Sequence, residues 1–240
     1  MNLFLTSSPF LYQHDPATLN PDNEFVDRLR SVLPERPRTL FICSNPADHD
    51  MTLGFSRDTR DAFARAGIPL GKTSVLDGRN ARWAYRLVAS ADFIIIMGGH
   101  VPTQNTFFRK IRLRRLMQKF NGVVMGISAG SMNSADIVYA QPEEEGESSP
   151  DFPRFLHGLG LADINILPHY QQVKDYELDG QRLYEDITFS DSMGQEFFVF
   201  PDGTYFYQDE DECVILGESY RISDGTMEQL TENGERFDFM

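Results

Sequence analysis

Three residues of this 240-residue chain stand where chemistry could be done: Ser128, His169 and Asp202. Ser128 lies in Gly126-Ile127-Ser128-Ala129-Gly130, between an apolar run and small residues that read as a helix start. A serine on a sharp strand-to-helix turn exposes its hydroxyl, and the N–H of the next residue, Ala129, points to the same side. Flanking glycines relieve the crowding that such a turn imposes. His169 closes "INILPHY", where a proline halts strand hydrogen bonding, and an imidazole there can accept the serine proton. Asp202, in "FFVFPDGTY", is a turn former by type. At a strand end its carboxylate can also orient the imidazole and stabilise its cation. These roles add up to acyl transfer through an activated serine.

A fourth component is "MGGH", residues 97–100, which closes the apolar run "DFIIIMGG". Gly98 or Gly99, together with Ala129, would supply N–H groups to an oxyanion. His100 follows those glycines and is a candidate for touching substrate. The other histidines are poorer candidates: His14 and His49 lie in polar stretches, and His157 precedes a "GLGL" turn. The order serine, histidine, acid fits better than serine, acid, histidine. No histidine follows His169, so the second order needs an acid among Asp136, Glu143, Glu144, Glu145, Glu147, Asp151 and Asp163, in a helix start, an acidic loop or a turn.

The elements that must position these residues are strands and helices in alternation. Strand-like runs are "NLFLTSS", "TLFICSNP", "KTSVLDG", "DFIIIMGGH", "GVVMGISAG", "INILPHY" and "EFFVFPDG". Helical patterns intervene at "GFSRDTRDAFARAG", "NARWAYRLVASA", the basic stretch 107–120 and "YELDGQRLYEDITF". Several strands are apolar at consecutive positions, the mark of strands buried on both faces. The expected fold class is therefore α/β: one domain over residues 1–240, a doubly wound, mostly parallel sheet with helices on both faces. Ligands bind such sheets beyond the carboxyl ends of the strands. After residue 203, short strands around acidic turns predict a C-terminal antiparallel meander, serving as an interface in a homodimer or as an edge cover. The acidic stretch 141–153 is the expected mobile loop.

Charge and composition limit the partners. A formal net charge of −14 repels a phosphate backbone and argues against nucleic acid. No apolar run approaches the roughly 20 residues that span a bilayer, and the N-terminus lacks a signal-peptide pattern, so a cytoplasmic location is expected. Cys43 and Cys213 read as buried free thiols in a reducing compartment. No cluster has metal-ligand spacing, and neither metal nor cofactor is expected. The basic stretch 107–120 reads as an amphipathic helix whose arginines, Arg109 or Arg112, either face solvent or reach an acidic substrate.

The chain resembles the dipeptidase E and cyanophycinase family of serine peptidases, whose fold is flavodoxin-like and of the class I glutamine-amidotransferase type. "GISAGSMN" is similar to that family's nucleophile turn, "INILPHY" to its histidine strand, "PDGTY" to its acidic turn and "IIIMGGH" to its oxyanion loop. The resemblance implies Ser128 as nucleophile, His169 as base and Asp202 as acid, with Gly98, Gly99 and Ala129 around the oxyanion. Dipeptidase E itself carries glutamate at the acid position. Asn105 and Thr106 resemble the Asn-Thr of the family's oxyanion loop, displaced by an insertion after Gly99, and join His100 and Arg109 as candidate substrate contacts. The "SMN" spacing departs from the family's and opens the role of Asn133. The implied function is hydrolysis of small peptides as an exopeptidase. Alternatives are cyanophycinase-like cleavage of unusual peptide bonds and a fold relative that binds a small acidic metabolite without turnover.

Overall fold

The computed structural model describes residues 1–11 and 16–239. β1 (Asn2–Thr6) is followed by the short pair β2 (Phe10–Leu11) and β3 (Thr18–Leu19), then α1 (Phe25–Val32). Strand and helix alternate through β4 (Thr39–Ile42), α2 (His49–Arg65), β5 (Thr73–Leu76), α3 (Ala84–Ser90), β6 (Phe93–Ile96), α4 (Val101–Lys110), α5 (Leu113–Met117), β7 (Val123–Ile127) and α6 (Ala129–Met132). Shorter pieces come next: β8 (Ile137–Tyr139), β9 (Phe155–His157), β10 (Ile166–Leu167), α7 (Tyr170–Val173), β11 (Glu177–Leu178), β12 (Gln181–Arg182) and α8 (Phe189–Asp191). The chain ends with β13 (Glu196–Val199), β14 (Tyr205–Gln208), β15 (Cys213–Leu216), β16 (Ser219–Ser223), β17 (Thr226–Thr231) and β18 (Arg236–Asp238).

Eight strands form the main sheet in the order β18-β15-β14-β1-β7-β6-β4-β5. The five from β1 to β5 in that order run parallel, and β14, β15 and β18 add antiparallel pairings at one edge. Every residue of β4, β6 and β7 is buried, as the unbroken apolar runs require. Alternation in β1 sorts the two faces. Leu3 and Leu5 pack with Phe107, Leu113 and Met117, while Phe4 packs with Phe25, Leu29 and Phe63 from α1 and α2. Each such side chain contributes about 1.5–3 kcal/mol by leaving water. The expected α/β class, with helices on both faces of a mostly parallel sheet, is what the chain adopts.

A second sheet, β10-β13-β16-β17, carries the ends that hold His169 and Asp202. Its Leu167, Phe197, Val199 and Ile222 pack on Ala129 and Met132 of α6, which sets those strand ends against the main sheet. The C-terminal strands are antiparallel but are not one meander at one edge. β14, β15 and β18 extend the main sheet, whereas β16 and β17 extend the second.

Two expected helices differ. The basic stretch 107–120 is broken between α4 and α5 by Arg112, at φ 54°, so its arginines do not form one continuous face. In 176–189 the Asp179-Gly180 turn, both residues at positive φ, folds β11 onto β12, and helical structure begins only at Leu183. The acidic stretch is fastened by hydrogen bonds. Asp179 accepts from Gly146 N–H and Ser148 Oγ, and Arg154 donates to the Ser148 carbonyl. Among the described residues, no helix is long and apolar enough to cross a membrane.

Candidate active site

Ser128 joins β7 to α6 with φ 49° and ψ −116°. Such a conformation costs a non-glycine residue about 1–3 kcal/mol unless its surroundings impose it. Here they do. Its N–H donates to the carbonyls of Thr6 at 3.0 Å and Ser7 at 3.1 Å, and its carbonyl accepts from Ser131 and Met132. The Ser131 hydroxyl ties the same turn to the Thr6 carbonyl at 2.7 Å. A Cβ on Gly126 would approach the Ser131 backbone to 2.9 Å, and one on Gly130 would come within 2.3 Å of the Ile96 carbonyl oxygen. Both glycines of the motif are therefore demanded by close approach.

His169 follows β10 in a left-handed conformation at φ 60°. Its Nδ1 lies 2.7 Å from Asp202 Oδ1, so Nδ1 donates to that carboxylate, and in the neutral ring Nε2 is the acceptor. Ser7, completely buried at the end of β1, donates its hydroxyl to the same Asp202 oxygen at 2.7 Å and accepts the His169 N–H at 2.8 Å. Gln172 Nε2 donates to Asp202 Oδ2 at 2.7 Å, and Asp202 N–H donates to Gln171 Oε1. Burial pulls the Asp202 carboxyl upward. The hydrogen bond and charge of His169, with the Ser7 hydroxyl, outweigh that and hold it below its ordinary pKa. Ser7 was not singled out in the sequence; its only signal is a strand running into Ser-Ser-Pro.

Ser128 and His169 line one cavity of about 230 Å³, walled by Met132, Pro168, Val173, Leu183 and the 141–143 segment. Among the described residues, Ser128 Oγ makes no hydrogen bond to His169. Gly98 sits against the serine: a Cβ there would be 3.2 Å from Ser128 Cβ. Gly99, at φ 150°, has no room for a side chain, because a Cβ would lie 2.4 Å from Ser44 Cβ. The N–H groups of Gly98, Gly99 and Ala129 have no backbone partner among the described residues.

The remaining candidates divide. His100 bonds Thr103 through Nδ1 and Glu147 through Nε2, both at 2.8 Å, linking the glycine loop to the acidic segment. Asn105 is buried away from the cavity, donating to Asn133 Oδ1 and the His157 carbonyl, and Thr106 is exposed on α4. Arg109 lines a separate hollow with Phe108, Arg112, Arg115 and His157. Asn133 in turn donates to the Val101 carbonyl and Gln104 Oε1, so it locks α4 to the turn that follows Ser128. His14 lies outside the described residues. His100, Glu144 and Glu147, drawn from two loops and therefore without sequence spacing, bring potential metal-ligand atoms within 4.8 Å of one another. Cys43 and Cys213 are free, and burial pushes the Cys43 thiol up to about 12.

A serine on a strained strand-to-helix turn at the carboxyl edge of a mostly parallel sheet is a geometry that α/β hydrolases share. The chain belongs to peptidase family S51, whose sequence model it matches over residues 3–216. It is similar to the crystal structure of a Listeria monocytogenes EGD-e protein provisionally named peptidase E. The TM-score is 0.57 at 17% identity, covering 96% of this chain and 98% of that one, a likeness of fold. Among curated proteins, none matches the chain.

Proposed function

We propose that the chain is an exopeptidase for small peptides, with Ser128 as nucleophile, His169 as general base and Asp202 as the acid that orients it. The observation that carries this reading is the Nδ1–Oδ1 bond of 2.7 Å, which engages Nδ1 and leaves Nε2 without a partner among the described residues, on an imidazole that lines the same cavity as Ser128. His169 takes the Ser128 proton as the hydroxyl attacks a peptide carbonyl, and Asp202 stabilises the imidazolium. The unpaired N–H groups of Gly98 or Gly99 and of Ala129 receive the oxyanion. The imidazolium protonates the leaving amine, and water activated by His169 then releases the acyl group. A serine–histidine hydrogen bond commonly tightens only when substrate arrives, which accords with its absence here. The cavity of about 230 Å³ favours one or two residues over a folded protein.

Labelling with a fluorophosphonate probe tests the assignment. Labelling lost in both Ser128→Ala and His169→Ala, each shown to be folded, is the expected outcome. Undiminished labelling of Ser128→Ala would sink it.

A further inference from the structure

We propose that Glu143 is the anchor for the free α-ammonium of the substrate, and that the site takes peptides whose N-terminal residue is unblocked and apolar. This deepens the exopeptidase reading and rests on it. Glu143 lines the same cavity as Ser128 and His169. The other lining groups are Met132, Gln141, prolines, Val173, Tyr176 and Leu183, with no arginine or lysine. The Glu143 backbone N–H is held by Glu147 Oε2 at 2.9 Å, which fixes the residue at the cavity wall. Among the described residues its own carboxylate makes neither a hydrogen bond nor an ion pair with a cationic side chain. A carboxylate in that position lacks a counter-charge that a ligand can bring.

Glu143 is exposed as a residue, on the wall of the cavity that opens beside Ser128 and His169. In a peptide cleaved after its first residue, the α-ammonium is two bonds from the scissile carbonyl carbon, so its anchor must share the nucleophile's cavity. The apolar walls then receive the first side chain. An N-terminal aspartate or glutamate would set a second carboxylate beside Glu143 with no arginine or lysine in the cavity lining to offset it, a like-charge contact that disfavours such substrates. Arg109, the residue that could have served such a side chain, opens into another hollow.

The test compares Leu-Leu, N-acetyl-Leu-Leu and Asp-Leu as substrates of the full chain and of Glu143→Gln, with fluorophosphonate labelling alongside. Wild type should prefer Leu-Leu to its acetylated form and to Asp-Leu by about 100-fold or more. Glu143→Gln should shrink both preferences roughly 10- to 100-fold while still being labelled. Labelling with an unchanged preference in Glu143→Gln, or with Asp-Leu as the best substrate, or with none of the three cleaved, overturns the anchor but spares the serine assignment. Loss of labelling in the wild-type protein itself would instead remove the reading on which the anchor stands.

Discussion

His169 Nδ1 and Asp202 Oδ1 are 2.7 Å apart although they come from different strands of the second sheet, and Ser7 from the main sheet bonds to both residues. One hydroxyl thus registers the two sheets against each other at the point where proton transfer is proposed. Replacing Asp202 with Asn keeps the shape but lets Nδ1 accept, so Nε2 carries the proton and cannot act as base. Turnover of Leu-Leu should fall roughly a thousand- to ten-thousand-fold. Steady-state kinetics check this, and a loss below tenfold would refute the orienting role. The carboxyl is held below its ordinary pKa, so its stabilising contribution is complete above the unfolded value near 3.9 and is lost as pH falls through the lower folded value. Urea midpoints of wild type and Asp202→Asn should therefore converge in acid.

On the proposed mechanism Ser7 is a positioning residue. Ser7→Ala leaves the buried His169 N–H without its acceptor and removes one donor from Asp202, at a cost of about 1–3 kcal/mol. A purely structural role would stop there. Positioning predicts in addition a kcat lowered roughly 10- to 100-fold with little change in KM. An unchanged kcat in a destabilised Ser7→Ala would reduce Ser7 to packing.

Much of this was legible in the residues. Ser128, His169 and Asp202 stood out as candidates because each ends an apolar run, and ends of buried strands converge in a doubly wound sheet. What hid was whatever depends on one residue adopting an unusual backbone angle or on contacts between distant segments. The break at Arg112 is invisible in an amphipathic pattern that continues through it. Asp179-Gly180 sits inside a helical spacing, yet its two positive φ angles make a hairpin. Ser7 bonds residues more than 160 positions away. No spacing rule reaches that far.

Two glycines should respond oppositely to the same added methyl. Gly130→Ala drives a Cβ to within 2.3 Å of a carbonyl oxygen in β6, where neither backbone can yield cheaply. About 1–3 kcal/mol or more of stability should be lost, and labelling of Ser128 with it. Gly54→Ala, within α2 and with nothing in 4 Å of its Cβ, should gain about 0.5–1 kcal/mol from helix propensity. Thermal melts of the two variants decide it, and a stabilised Gly130→Ala would show that the turn is not held as tightly as its hydrogen bonds imply.

Glu143 links stability to pH with the opposite sign from Asp202. Although the residue is exposed, desolvation of its carboxyl by the surrounding protein raises it to about 7, with Glu147 and Glu144 repelling it and His100 and His169 attracting it. Between the unfolded value near 4.3 and about 7, the folded chain binds the proton more tightly than the unfolded chain, so stability falls as pH rises through that window. Glu143→Gln carries no such proton. The stability of wild type relative to the variant should therefore decline across the window and level off above it, as read from urea midpoints at several pH values. Substrate binding should run the other way, since an ammonium needs the ionised carboxylate: KM for Leu-Leu should fall as pH rises through about 7 in wild type and stay flat through the same range in Glu143→Gln. A KM profile identical in the two proteins would mean that the carboxyl titrates without touching the substrate.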